Sequence, residues 1–276
     1  MRRQRWFEIH DQPWFPAFLR DLTTEALEAV WNENHMYRPI AGKLREAVAR
    51  SGADQIVDLC SGGGGPWLGL FDDVADGRCL RVVLTDFYPN ARLLRERLPE
   101  GLAAKPEPVD ARCVPDSLRG FRTIFSAFHH FDPRAARAML EDAFRRREGI
   151  GVFEGARRSW LTLALVAGVP VLALRSAARA RPVRWQKIAW TWLIPVVPAV
   201  LWLDGILSCL RSYSMQDLRE LTEGLTSPDY RWETGEAEGG RVPIRYLIGV
   251  PEQQGGTPPG CANFQMIDFG QLATRY

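Results

Sequence analysis

The 276-residue sequence has few cysteines and little net charge. Its five cysteines form no C-x-x-C pair and no metal-ligand spacing. The pattern therefore predicts neither a disulfide framework nor a structural metal site, and we expect a reducing, cytoplasmic compartment. The formal net charge is only +2, which gives no support for a protein that binds nucleic acid. The basic N-terminus is followed by acids rather than an apolar run, so it does not predict a secretory signal.

The rest of the composition is that of an ordinary folded protein. Hydrophobic residues make up 46% and charged residues 25%, which excludes a mostly disordered or fibrous chain. The length fits one large domain or a domain with a sizeable insertion. Tryptophan is frequent, with ten residues in all, and four of them lie between Trp185 and Trp202.

Short apolar runs alternate with helical patterns in the middle of the chain. The predicted strands are 55–60, 81–86, 108–110, 122–127 and 149–154, and the predicted helices between them are 90–98 and 132–147. Asp132 is the expected N-cap of the second helix. This alternation predicts βαβ units and a mostly parallel sheet. Two further strands, 230–237 and 241–250, are separated by Glu238-Gly-Gly and predict a C-terminal hairpin.

The flanking segments divide the chain into four parts. Residues 1–50 have apolar residues at helical spacing and predict a helical cap that ends at Gly52. The core comprises 51–155 and 213–251, with a helix that begins at Ser214 in a capping-box pattern. Residues 156–212 form an apolar helical insertion, and 252–276 read as a flexible tail.

A glycine turn follows the first strand. Gly62 to Gly65 fill the turn, Pro66 begins a helix, and Asp86 ends the next strand. Glycines let the backbone approach a ligand at a helix N-terminus, and an acid at the next strand end binds ribose hydroxyls, so a nucleotide-like ligand is predicted. The dinucleotide fingerprint needs a third glycine, but Trp67 or Leu68 stands there. A nicotinamide or flavin cofactor is therefore disfavoured.

With these motifs the sequence resembles the class I S-adenosylmethionine (SAM)-dependent methyltransferases. The segment 57–65 (VDLCSGGGG) is similar to the first motif of that family, although Cys60 stands where the family usually has glycine. The segment 125–131 (FSAFHHF) resembles the fourth-strand region of small-molecule and quinone methyltransferases. The resemblance covers residues 50–155 and 214–250. It implies an α/β, Rossmann-like, doubly wound sheet of seven strands that ends in an antiparallel hairpin.

The resemblance also implies a donor site for SAM. Asp86 falls where the family binds the ribose diol, Asp110 where it contacts the adenine amine, and Asp58 where it supports the turn. The full set of expected donor-site residues is Asp58, Cys60, Gly62, Gly64, Asp86, Phe87, Asp110, Ala111 and Ser126.

Methyl transfer requires positioning and exclusion of water, and it needs a general base only when the acceptor carries a proton of high pKa. The candidates His129, His130 and Glu154 follow strands four and five, where open α/β sheets bind ligands. The alternatives are that the histidines pack and cap the next helix and that Glu154 pairs with Arg157 or Arg158. No metal site is predicted, because adjacent histidines on an extended segment point in opposite directions and no third ligand is evident.

The N-terminal aromatic residues have two possible roles. His10 and the aromatic side chains around it either form a lid over the donor or pack as an ordinary cap. These aromatic residues are Trp6, Phe7, Trp14 and Phe15.

The insertion contains two uncharged runs, 160–174 and 188–203, on either side of a basic stretch at 175–187. Both runs are shorter than the roughly 17–20 residues of a membrane span. Either the insertion is a buried helical hairpin that roofs the acceptor pocket, or it makes peripheral contact with a membrane through its apolar face. Arg211 and Tyr213, at its end, are either acceptor contacts or structural residues.

Both interpretations of the insertion imply an apolar acceptor. The sequence thus predicts methyl transfer to a hydrophobic or aromatic small molecule. The alternatives are a membrane-surface methyltransferase that acts on lipid and a non-catalytic SAM-binding scaffold.

Overall fold

The computed structural model describes residues 3–4, 6–179, 184–240 and 242–252. Its strands are β1 Gln55–Leu59, β2 Arg81–Thr85, β3 Leu102–Ala104, β4 Phe121–Phe125, β5 Ile150–Glu154, β6 Tyr230–Ala237 and β7 Ile244–Pro251. Its α-helices are α1 Ala17–Glu33, α2 Ala41–Ser51, α3 Trp67–Ala75, α4 Pro133–Arg146, α5 Trp160–Val166, α6 Val169–Arg179, α7 Trp185–Ile188, α8 Val196–Arg211 and α9 Met215–Thr222. The expected tail, 252–276, lies outside the described residues except for Glu252.

The seven strands form one sheet in the order β3-β2-β1-β4-β5-β7-β6. Strands β1 to β5 are parallel, and β7 pairs antiparallel with both β5 and β6. This confirms the predicted doubly wound sheet with a C-terminal hairpin. The strand order reverses between β1 and β4, and open α/β sheets bind their ligands at such a point.

Local signals fix several element ends. Asp132 caps α4 by accepting hydrogen bonds from the N–H groups of Arg134 and Ala135. Ser214 and Asp217 form the expected capping box at the start of α9. Gly52 ends α2 in the left-handed conformation, with φ of +67°. Side-chain and glycine caps therefore gave reliable boundaries in this chain.

Two predicted elements are wrong, and a third begins later than predicted. The third strand is Leu102–Ala104, whereas 108–110 lies in a loop that makes a single N–H bond from Val109 to the Asp86 carbonyl. Residues 90–98 form turns rather than a helix, because Leu93 is the one buried apolar side chain of this short run and an isolated short helix is marginal. The described residues before α1 form turns and irregular structure, so the N-terminal cap is helical only from Ala17.

The core lies on both faces of the sheet. One cluster packs α2 and α3 against the sheet, and the other packs α4 and α9 against its opposite face. Trp67 is fully buried and meets the Phe125 ring edge-on, with ring centroids 5.7 Å apart. An indole therefore fills the helix–sheet contact that the third glycine of a dinucleotide-binding turn keeps open.

The insertion is helical, as predicted, and packs beside α1. A third apolar cluster joins the two segments through Phe15, Leu19, Leu22, Ala26, Ala173, Val197, Val200 and Leu201. By length and composition Trp160–Ala177 could cross a membrane, and the pair Trp185–Leu193 and Val196–Arg211 also passes this test but is bent by 64°. The first candidate is longer than the uncharged run 160–174 because it continues through Arg175 to Ala177. Only 22% of this candidate is buried, so this half of the insertion does not fit the alternative of a buried hairpin, whereas α8 buries Val197, Val200 and Leu201.

Candidate functional site

A cleft of about 390 Å³ opens at the carboxyl ends of β1, β2 and β4. Cys60, Asp86 and Ser126, which line it, are each the first residue after one of these strands. Of the nine expected donor-site residues, the cleft is bordered by Cys60, Gly62, Asp86, Phe87, Asp110, Ala111 and Ser126. The topology therefore brings together residues that are up to 66 positions apart in the sequence.

The glycine turn has the backbone geometry that its composition predicts. Gly62, Gly64 and Gly65 have φ of +53°, +112° and +57°. Cys60 also has a positive φ, +59°, which explains in physical terms why glycine would suit this position. Gly63 needs its small size for another reason: an added Cβ would lie 2.9 Å from the Thr24 carbonyl oxygen in α1.

Asp58 supports the turn from below and does not border the cleft. Its carboxylate accepts hydrogen bonds from the Ser61 and Thr123 hydroxyl groups, both at 2.6 Å. The side chain is 1% exposed, and burial raises its pKa to about 6. Gly64 also lies outside the cleft lining, where it faces Leu93.

The two cleft aspartates have different surroundings. Asp86 accepts hydrogen bonds from the N–H groups of Gly62 at 2.7 Å and Tyr88 at 2.8 Å, and burial raises its pKa. Asp110 binds the Arg112 guanidinium at 2.6 Å, and this interaction holds its pKa below the usual value. Asp86 is thus fixed in orientation by the glycine turn itself, whereas Asp110 is neutralised by a neighbouring side chain.

Helix α1 forms a wall of the cleft that the sequence analysis missed. The wall residues are Arg20, Asp21, Thr24, Leu27, Glu28 and Trp31. Of the two roles left open for the N-terminal aromatic residues, the structure does not support a lid. Trp6, Phe7 and Trp14 are exposed, Phe15 is buried in the third cluster, and none of the four borders the cleft. His10 is the one member of that group on the cleft. The sequence contains a signal for this wall: Thr24 and Glu28 are polar residues four positions apart, so they lie on the same face of α1.

The histidines of the fourth-strand segment lie in a tight turn. Residues Phe128–His130 form a 3₁₀ turn, and the two imidazole centroids are 4.5 Å apart. The premise that an extended backbone points these side chains in opposite directions is therefore wrong. His130 borders the cleft, whereas His129 is 1% exposed and lies behind it.

Each of these imidazoles is held by carboxylates on both sides. His129 Nδ1 is 2.7 Å from Glu154, and its Nε2 is 3.3 Å from Glu8. His130 Nδ1 is 2.5 Å from Asp11, and its Nε2 is 3.5 Å from Glu8. Glu154 therefore positions His129. It does not pair with Arg157 or Arg158, which bind Glu236 and Asp217 instead.

A neighbouring pair extends this cluster to the insertion. His10 Nδ1 lies 2.7 Å from the Asp204 carboxylate, which also accepts the N–H groups of Ile9 and His10. Burial lowers the pKa of His10, but the hydrogen bond to Asp204 together with the charges of Asp11, Glu8 and Asp204 raises it to about 9. A carboxylate in the middle of α8 would be costly to bury in a lipid bilayer. In this structure Asp204 is buried within the protein, where it binds His10 and the main chain of Ile9.

The imidazole–carboxylate contacts also shift the pKa values behind the cleft. Burial works against the charged form of His129, but the charge and hydrogen bond of Glu154 raise its pKa to about 10. Burial also works against ionised Glu8, yet the positive charges of His130 and His129 beside it lower its pKa to about 2. These shifts favour the charged forms of His129 and Glu8, which face each other at 3.3 Å.

Arg211 and Tyr213 hold the histidine turn from outside the cleft lining. Arg211 donates to the His130 carbonyl at 2.6 Å, and the Tyr213 hydroxyl donates to the Phe131 carbonyl at 2.8 Å. Of the two roles left open for these residues, the structure favours the structural one. No described residue of the insertion borders the cleft, so the expectation that it roofs the acceptor pocket is wrong.

The chain matches no protein-family model and none of the curated proteins. Among solved structures it is similar to the plantazolicin methyltransferase BpumL in complex with a triazolic desmethylPZN analog and S-adenosylhomocysteine (SAH). The TM-score is 0.51 at 10% identity, over 85% of this chain and 98% of that one. It is also similar to human N-acetylserotonin methyltransferase in complex with SAM, with a TM-score of 0.50 at 11% identity. That match covers 91% of this chain but only 63% of the longer human protein. With the strand order and the glycine turn, these likenesses show that the chain has the fold of the class I SAM-dependent methyltransferases.

Proposed function

We propose that this protein transfers a methyl group from SAM to a hydrophobic or aromatic small molecule. One observation carries the proposal: a single cleft joins the glycine turn and Asp86 to an apolar space that ends at His130. The two compared structures contain SAM or SAH, which supports the same choice of donor.

The cleft residues fit the donor in shape and chemistry. The backbone of Gly62 and Gly63 is open for close approach, since both residues border the cleft and neither carries a side chain. Asp86 has a fixed carboxylate, and each of its oxygens has a further lone pair for a ribose hydroxyl. When bound there, SAM would supply a methyl group on a positively charged sulfonium, and the neutral thioether that remains after transfer is a good leaving group.

Beyond the expected donor-site residues, the cleft lining includes apolar and polar side chains. The apolar side chains are Leu27, Trp31, Phe125 and Phe131, and the polar ones include His10, Asp11 and His130. Such a lining selects an apolar ligand and orients it through few polar contacts. We assign activation of the acceptor to His130, which Asp11 orients, and a positioning role to the buried His129 and Glu154.

A matched pair of variants tests this assignment. In His130→Gln, methyl transfer to a panel of phenols, quinols and fatty acids should fall by about 10²–10⁴-fold, the usual contribution of a positioned acid–base group. SAH affinity should change less than threefold. His35→Gln is the control, because His35 is exposed and remote from the cleft. Full activity in folded His130→Gln would contradict the role of His130, and absence of methylation by the parent protein would favour a non-catalytic scaffold.

A second candidate function is methyl transfer to a lipid at an anionic membrane surface. The observation that favours it is the exposed apolar surface of the insertion, with Trp160 and Leu193 each 78% exposed. Its other exposed large apolar residues are Leu161, Leu165, Val171, Trp185, Ile188, Trp192, Ile194, Trp202 and Leu203. Residues 156–212 also contain eight arginines or lysines and one acid, Asp204, which is buried. Tryptophan and basic residues together suit the interface of an anionic bilayer.

Sedimentation with vesicles tests this candidate. The parent should sediment with phosphatidylglycerol-containing vesicles and be released by salt. Trp192→Glu combined with Leu193→Glu should abolish sedimentation, whereas Leu68→Glu, an exposed apolar site on α3, should not. A parent that stays in the supernatant with every vesicle type would exclude this candidate and leave the small-molecule proposal intact.

A further inference from the structure

The side chains of Glu8, His129 and His130 converge on one point behind the cleft. One ligand atom from each of them lies within 4.8 Å of the others. The Glu8 carboxylate faces His129 Nε2 at 3.3 Å and His130 Nε2 at 3.5 Å. Oε1 makes the first contact and Oε2 the second, and both distances exceed the usual N–H···O range. The first is close to the separation of about 3.3–3.4 Å expected between two ligands of a tetrahedral zinc ion.

Both imidazoles are already oriented as metal ligands usually are. Nδ1 of His129 meets Glu154 at 2.7 Å, and Nδ1 of His130 meets Asp11 at 2.5 Å. An acidic partner on one ring nitrogen leaves the lone pair on the other for a cation, and this carboxylate–histidine–metal arrangement is common in metalloproteins. The Nε2 atoms that remain are the two that face Glu8.

Two of the converging atoms lack hydrogen-bond partners. Glu8 and His129 are each 1% exposed, and Glu8 Oε1 and His129 Nε2 have no hydrogen-bond partner among the described residues. They face each other at 3.3 Å, and Glu8 Oε1 is also 3.6 Å from the Arg211 guanidinium, but neither contact is a hydrogen bond. A buried polar atom without a hydrogen bond is costly, so it calls for a physical explanation. A cation between the two would satisfy both atoms at once.

The charges around the point also favour a divalent cation. Three carboxylates, from Glu8, Asp11 and Glu154, surround the two imidazoles, which a metal would bind in their neutral form. Arg211, whose guanidinium is 3.6 Å from Glu8 and 3.9 Å from Asp11, offsets one of them. Arg3 binds the main-chain carbonyls of His129 and Phe131 instead. The local excess is therefore two negative charges, which either two protonated imidazoles or one divalent ion would balance.

From this geometry we propose that Glu8, His129 and His130 form a binding site for a divalent transition metal of the Zn²⁺ type. Two imidazole nitrogens and one carboxylate suit Zn²⁺ and its first-row neighbours rather than Mg²⁺ or Ca²⁺, which prefer oxygen ligands. The metal would fasten the N-terminal segment to the histidine turn. His130 also borders the cleft, and its Nδ1 already meets Asp11. A metal on Nε2 would therefore occupy the nitrogen that could take a proton from the acceptor, so the role of His130 in acceptor activation belongs to the protein without bound metal. The site itself does not depend on the proposed methyl transfer.

Metal binding is tested on untagged, chelator-treated full-length protein without donor or acceptor. Titration with Zn²⁺, followed by equilibrium dialysis and elemental analysis, should give one ion per chain and raise the melting temperature. Co²⁺ should bind with the visible spectrum of a tetrahedral site. Glu8→Gln should weaken Zn²⁺ binding by at least about 100-fold, and Asp11→Asn, which keeps all three ligands, by about 10–100-fold.

The controls separate this site from other zinc ligands in the chain. His35→Gln removes the one histidine that is remote from the cluster, and Cys113→Ser removes an exposed free thiol. Both should retain the parent's stoichiometry and affinity. If Glu8→Gln does not fold, Asp11→Asn carries the test, because its side chain is 35% exposed. Zn²⁺ affinity that is absent in the parent, or unchanged in the folded Glu8 and Asp11 variants, would overturn the site and indicate protonated imidazoles instead.

Discussion

Asp86 is the side chain on which donor binding should depend most. Its two oxygens accept the Gly62 and Tyr88 N–H groups at 2.7 and 2.8 Å, so the glycine turn fixes the carboxylate before any ligand arrives. A ribose diol would add two charge-assisted hydrogen bonds, worth about 1.5–3 kcal/mol each. In Asp86→Asn a single amide oxygen remains, and at least one of these bonds is lost. The dissociation constant for SAH should therefore rise by about 10–150-fold.

Isothermal titration with SAH measures this change directly. Asp116→Asn is the matched control, since that carboxylate is 84% exposed and lies away from the cleft lining. It should bind SAH as the parent does. Circular dichroism and thermal unfolding must show that Asp86→Asn is folded, because the substitution also disturbs the turn. SAH affinity within about threefold of the parent in the folded variant would refute the role assigned to Asp86.

Two further predictions concern the support of the glycine turn. Gly63→Ala would place a Cβ 2.9 Å from main-chain atoms of Thr24. Because such overpacking strains the fold, the free energy of unfolding should fall by about 1–3 kcal/mol. SAH binding should also weaken, because the clash displaces α1. Gly42→Ala in α2 is the control, because no described atom lies within 4 Å of the added Cβ. Its free energy of unfolding should rise by about 0.5–1 kcal/mol. Equal urea unfolding midpoints for the Gly63 and Gly42 variants would contradict the steric argument. For Asp58, burial raises the pKa from 3.8 to about 6, so the folded state holds this proton more tightly than the unfolded chain. The resulting stability is complete below pH 3.8 and is lost as the pH rises through about 6. Between pH 4 and pH 7 the free energy of unfolding of the parent should fall by about 2–3 kcal/mol more than that of Asp58→Asn. If the unfolding free energies of the two proteins change in parallel with pH, Asp58 does not titrate in this range.

The sequence was most informative where structure depends on neighbouring residues. The strand from Gln55 into the glycine turn, the capping box at Ser214 and the hairpin of β6 and β7 were all predictable. Each depends on side-chain alternation, a cap or a turn within a few positions. Strand β3 was missed because it is a three-residue edge strand whose pairing with Val82 to Leu84 is not visible in its own sequence.

The candidate site was predictable on one side only. Cys60, Asp86 and Ser126 follow strands whose positions the pattern gives, so the parallel sheet places them together. Glu8 and Asp11 come from an irregular segment and meet residues about 120 positions later. No local periodicity encodes such contacts. The helical insertion was predicted, but its packing against α1 rather than over the cleft depends on the third apolar cluster.

The measurement that tests the central claim most directly is binding of SAH, the product of the donor, to the purified protein, with NAD as the control ligand. At 100 times its dissociation constant a ligand stabilises the folded state by about 2.7 kcal/mol. For a chain of this size we expect SAH to raise the melting temperature by roughly 5–10 °C. NAD should leave it unchanged, because Trp67 occupies the position of the third glycine. A folded protein that is stabilised by NAD, or that responds to neither ligand, would contradict the assignment of this cleft to SAM.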